Sequence, residues 1–243
     1  MLSRIQITPR PWRFAWAVCV LLLLRLPAAT GAEPSLAAIH SAQVVLVGGN
    51  PAERREAVAL LVKAGAGASR AYDPLLEALG DPDPWVRWGA AQAIANLGGP
   101  KSSDLKVLAD LAGGDPDPRV RFAALEGLIR HGSCSVSPSS PLLSDPSPGV
   151  RLQATRLLTW TGRPTWRPLT SEARRSLEEK LSALEARLAD EDLTVRLAAI
   201  GTLESYGVWA FPVLAAALED DHVFVRRAAA RSIADQKALG TGR

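Results

Sequence analysis

Two arrangements of side chains in this 243-residue sequence could do chemistry: a His-x-x-Cys pair, and an Asp that recurs six residues ahead of an Arg. His131 and Cys134 form the pair. A metal site needs three or four such ligands, and no third joins them nearby. His40 and His222 lie far off, and the second cysteine, Cys19, sits in an apolar run near the N-terminus. The chain has no Gly-rich phosphate loop, no Gly-x-Ser-x-Gly elbow and no Cys-x-x-Cys-His haem signature. Neither a catalytic group nor a metal or cofactor site is therefore expected.

The Asp and Arg pattern is the stronger signal, because it repeats in phase. Asp81-Pro-Asp-Pro-Trp-Val-Arg87, Asp115-Pro-Asp-Pro-Arg-Val-Arg121 and Asp145-Pro-Ser-Pro-Gly-Val-Arg151 are followed by copies running from Asp190 to Arg196 and from Asp220 to Arg226. A degenerate sixth copy, residues 48–65, keeps Arg54, Ala57, Leu61 and Gly65 without the Asp and reads as an N-terminal cap. From Arg to Arg the spacings are 33, 34, 30, 45 and 30 residues, the periods of helical hairpin repeats.

The elements that position these residues follow from the motif. Asp ahead of Pro starts a helix: the carboxylate accepts from free first-turn amides, and Pro supplies a helical φ where no donor is needed. At about 100° per residue, Val86, Ala90, Ile94 and Leu97 share one face of this B helix. Partner A helices are expected over 72–79, 104–111, 171–189 and 209–219, each short and amphipathic except the long third. Neither helix of a hairpin can bury its apolar face alone, so neighbouring hairpins must stack into one continuous core in a curved right-handed solenoid.

The Asp-Pro-x-x-x-Val-Arg-x-x-Ala-Ala pattern resembles the short HEAT-like repeats first associated with phycobilisome lyases, over residues 48–235. The resemblance implies an all-α solenoid of stacked hairpins, a fold shared by lyases, reductase appendages and many scaffolds. It also implies a ladder of charge-assisted hydrogen bonds between neighbouring turns, mapped onto Asp81, Asp115, Asp145, Asp190 and Asp220 with Arg87, Arg121, Arg151, Arg196 and Arg226. These ten residues are taken as structural.

Residues directly after the ladder Arg point about 200° away from Val86, toward the inner surface that B helices line. They are Trp88, Phe122, Leu152, Leu197 and Arg227. The first four would form an apolar ribbon for a protein or peptide partner, unless curvature packs them against their neighbours. Trp85 and Phe224 share another motif position and extend its edge. Two stretches break the period. Residues 132–144 are Ser/Pro-rich and leave only Leu142 and Leu143 in place of an A helix. Residues 161–170 place Trp166 between Arg163 and Arg167, either as a partner anchor or as a plug holding the loop to the stack.

Residues 1–32 read as a secretory signal: Arg4, Arg10 and Arg13, then an apolar run, then Thr30-Gly31-Ala32, with cleavage expected before Glu33. Arg25 and Pro27 end the run short of the roughly 20 residues of a spanning helix, so stable membrane insertion is the weaker reading. The segment holds 4 of the 28 Lys and Arg and none of the 25 Asp and Glu. From Glu33 onward 24 basic face 25 acidic residues, so the basic character of the full chain is no argument for nucleic-acid binding. Residues 33–47 are a lead-in and 236–243 a tail. The expected function is that of an exported, non-enzymatic adaptor binding a protein or peptide, the alternatives being a lyase, an enzyme accessory subunit or a membrane-anchored scaffold.

Overall fold

The computed structural model describes residues 33–97, 102–131, 137, 140–159 and 170–240, and the described residues are helices and turns throughout. The N-terminal segment before Ser35 is a unit of its own, and Ser35–Arg243 is a second unit that holds every described helix. In chain order the helices are α1 Leu36–Gly48, α2 Pro51–Ala64, α3 Tyr72–Ala78, α4 Pro84–Asn96, α5 Ser102–Gly114, α6 Pro118–Arg130, α7 Pro148–Arg156, α8 Ser171–Leu188, α9 Leu193–Leu203, α10 Phe211–Ala216 and α11 Val223–Gly240. The B helices α2, α4, α6, α7, α9 and α11 pack each on the next, with the A elements alongside, so the chain is an α-solenoid.

Each B helix starts one step later in the motif than the sequence suggests. The N-cap is the second polar residue, Asp83, Asp117 or Asp192, whose carboxylate accepts from the amide two residues on at 2.8 to 2.9 Å. The first Asp accepts instead from the amide of that N-cap residue, as Asp81 does from Asp83 at 2.8 Å and Asp115 from Asp117 at 2.9 Å. Two carboxylates thus satisfy successive free donors, and the second Pro takes the first helical position.

The lead-in is itself the first A helix. Ser35 caps α1, which buries Ile39, Ala42 and Leu46 against α2, so the stack begins with a complete hairpin. Asn50 and Glu53 form a capping box at the start of α2. The helix assigned beyond 235 to the tail continues to Gly240. The A helix expected over 209–219 is three short pieces, Glu204–Ala210, Phe211–Ala216 and Ala217–Glu219, the outer two of 3₁₀ form. Gly207 lies within it at φ 58°, a conformation L side chains rarely adopt, and turns the chain from α9 toward α10. The stretch Leu193–Glu219 is long and apolar enough to cross a membrane by length and composition. Its apolarity serves the core, where Val195, Ala199, Leu203 and Leu214 are fully buried.

The core is not continuous. One cluster runs from Ile39 to Leu157 and a second begins at Leu143 and Ala154, with the partly buried Leu142 packed against both. The division falls where the A element shrinks to a single 3₁₀ turn, Pro141–Ser144. Helix α7 serves both sides, giving Val150 and Leu157 to the first cluster and Ala154 and Leu158 to the second.

Candidate functional site

The ladder arginines hold the B helices in register. Arg87 donates through Nε and Nη2 to both Asp115 carboxylate oxygens at 2.7 and 3.0 Å, while its Nη1 donates back to the Asp81 carbonyl at 2.8 Å. Arg121 reaches Asp145 in the same way at 2.8 Å for both bonds. Arg151 reaches Asp190 at 2.9 Å for both. Arg54, in the copy that lacks the Asp, is the first donor and binds Asp81 at 2.7 and 3.1 Å. The last rung differs: Arg196 Nε lies 3.5 Å from Asp220, an ion pair without a hydrogen bond, while its other nitrogens donate to the exposed Asp221 carboxylate at 3.1 Å and to the Asp190 carbonyl at 3.3 Å. Arg226, at the end, binds the Asp220 carbonyl at 2.7 Å. From Arg54 to Asp190 the ladder carboxylates and guanidiniums are thus taken up between neighbouring repeats.

The ribbon residues stand beside the ladder at intermediate exposure. Trp88 and Phe122 pack partly on the first cluster and Leu197 on the second, while Leu152 is half-buried. Packing on the core has therefore covered part of the ribbon. Phe122 lies over Gly149 of the next repeat, where an added Cβ would sit 3.4 Å from its ring. Trp85 and Phe224 remain exposed at 46% and 56%. Trp166 and Cys134 lie outside the described residues; the His131 imidazole Nε2 lies 3.4 Å from the Ile94 carbonyl oxygen. Among the described residues no group of three His, Cys, Asp or Glu could hold a metal ion.

At the N-terminal end the ribbon opens into a groove of about 370 Å³ between α2 and α4. Val58, Ala59 and Val62 form one wall, and Trp85, Trp88 and Gln92 the other, with Arg55 at the rim. The floor is Gly89, where a Cβ would come within 2.8 Å of Val58 Cγ1, so glycine allows the two helices to close here. The two tryptophans meet edge to face at 5.6 Å, and the Arg119 guanidinium stacks 4.1 Å over Trp85. Arg119 is held in turn by both oxygens of Asp117 at 3.0 and 2.6 Å. Those bonds, with the Arg119 amide, outweigh burial and keep the Asp117 carboxyl at a pKa of about 2.

A family model described as HEAT repeats matches residues 42–133 and 136–234. The chain belongs to the HEAT-repeat family. No curated protein matches it. Among solved structures, an engineered protein superposes with a TM-score of 0.59 at 18% identity, covering 82% of this chain and 96% of its own. A designed armadillo repeat protein in complex with the peptide (KR)4 does so at 0.53 and 18%, covering 80% and 98%. The complex of CpcE and CpcF of phycocyanin lyase from Nostoc is 21% identical over 82% of this chain, with a TM-score of 0.34.

Within this HEAT-repeat framework the motif alone underreads three groups. Arg54 belongs to the ladder, and its signal was the 33-residue spacing to Arg87. Asp83 and Asp117 cap helices and also anchor Arg55 and Arg119, which the doubled Asp-Pro could have shown. The groove had no sequence signal beyond Trp85 and Trp88, because it depends on Gly89 facing Val58 across two repeats.

Proposed function

We propose that this HEAT-repeat protein is an exported adaptor that holds a protein or peptide segment along the concave face lined by its B helices. The observation that carries the reading is the α2–α4 groove, an open apolar cleft walled by two tryptophans at the end of the ribbon. Tryptophans lining an apolar cleft are the residue type on which binding energy concentrates. The designed armadillo protein that shares the fold is itself seen with a peptide, a precedent for such an occupant.

Selection of a displayed random peptide library on the purified protein tests this. Enriched peptides should lose at least about 30-fold in affinity on Trp88→Ala, the size of a binding hot spot, with the circular dichroism retained. They should be indifferent to Val107→Ala on α5. Enriched peptides that ignore Trp85 and Trp88, or a library that yields none, would remove the groove as the site.

A further inference from the structure

The stripe that carries Trp85 and Trp88 also carries charge of one sign, and we propose that its occupant is an acidic peptide segment lying extended across successive B helices. This rests on reading the B-helix stripe as a peptide site. On each B helix the stripe comprises the residue after the ladder Arg, the one three before it and the one four after it, which share a side at 3.6 residues per turn. Across the six B helices these positions hold five arginines, Arg55, Arg119, Arg156, Arg227 and Arg231, against one carboxylate, Glu126. Glu126 is already engaged by Arg130 at 2.8 Å. The 24 basic and 25 acidic residues from Glu33 onward balance, so the sign of the stripe is an arrangement and not a reflection of composition.

Depth sharpens the asymmetry. The Arg55 and Arg119 side chains are 54% and 42% exposed, whereas the Asp83 and Asp117 carboxylates that hold them are 6% and 16% exposed. The carboxylates thus orient the guanidiniums from behind and leave their outer N–H edges to solvent. Arg156 and Arg227 are exposed and have no carboxylate partner among the described residues. A guanidinium so placed accepts a carboxylate in the fork geometry that lysine lacks. Stacked helices lie about 8–10 Å apart, close to three residues of extended chain, so about eight residues would reach from the α2–α4 groove to Arg156 on α7. The groove adds a requirement for one large apolar side chain at that end.

Fluorescence anisotropy decides it with labelled 12-residue peptides, each bearing one Phe: an acidic, a neutral and a basic one, with a 12-nucleotide oligodeoxythymidine beside them. The acidic peptide should bind at least about tenfold tighter than the neutral one, and weaken several-fold between 0.05 and 0.5 M salt. Arg156→Glu with Arg227→Glu should erase that preference while the circular dichroism stays unchanged. An oligonucleotide that binds tighter than the acidic peptide overturns the proposal in favour of nucleic acid. Binding of the neutral or basic peptide as tight as the acidic one, lost on Trp88→Ala, overturns the acidic occupant and keeps the peptide site. Failure of all three peptides overturns the acidic occupant, and the library selection then decides the site independently.

Discussion

Arg87, Arg121 and Arg151 are each satisfied from two directions, by the carboxylate of the next repeat and by a carbonyl of their own, so removing one strands a nearly buried charge. Arg87→Ala leaves Asp115, at 3% side-chain exposure, without its bidentate partner and should cost about 3 kcal/mol in urea unfolding. Arg196→Ala should cost less than half as much, because that rung is already 3.5 Å long. Asp117→Ala removes a cap and should cost about 1 kcal/mol at pH 7. The pH dependence of that contribution has a definite sign. The folded carboxyl titrates at about 2, below its ordinary 3.8, so its stabilisation is full above about pH 4 and is lost as the pH falls through 2. A thermal melt series from pH 7 to pH 2 should accordingly show a shallower acid limb for Asp117→Asn than for the parent. The six-residue spacing made these arginines and first aspartates legible. The division of labour between paired aspartates was not, since both are acceptors at a helix start and only geometry says which amide each one takes.

Among the elements, the B helices were readable because Pro, Val and the Ala pair recur at fixed positions, and the A helices were blurred because no motif marks them. The lead-in shows why: α1 carries Ser35 as its cap but no Asp-Pro, and what makes it a helix is the burial of Ile39, Ala42 and Leu46 on α2. Close approach decides other details. Gly89→Ala should destabilise the fold by about 1–3 kcal/mol, because the added methyl meets a stiff β-branched Val58 at 2.8 Å, and should weaken peptide capture by spreading the groove walls. The shrunken A element has a larger consequence. With the A element reduced to one 3₁₀ turn, the two clusters meet only through Leu142 and the two faces of α7 among the described residues, and the stack should unfold in urea in two separable steps, one for α1–α6 and one for α8–α11. Hydrogen exchange read helix by helix would resolve them, and a single cooperative loss of protection would mean that α7 couples the halves after all.

At the scale of the molecule, the solenoid sets the ladder charges from Arg54 to Asp190 against neighbouring repeats and gathers Trp85, Trp88 and five arginines along one stripe of its B helices. Export remains a reading of residues 1–32, and N-terminal sequencing of the protein recovered outside the cytoplasm should return Glu33; a start at Met1 would mean a retained segment. The groove could not be read from the sequence because its walls come from repeats 33 residues apart and its width from one glycine. The claim that the B-helix stripe is the binding face is tested most directly by spin-labelling a captured peptide and measuring the relaxation of methyl signals in the protein. The account predicts broadening at Val58, Val62 and Leu152 with Leu76 and Val107 on the A helices untouched; broadening centred on the A-helix methyls would contradict it.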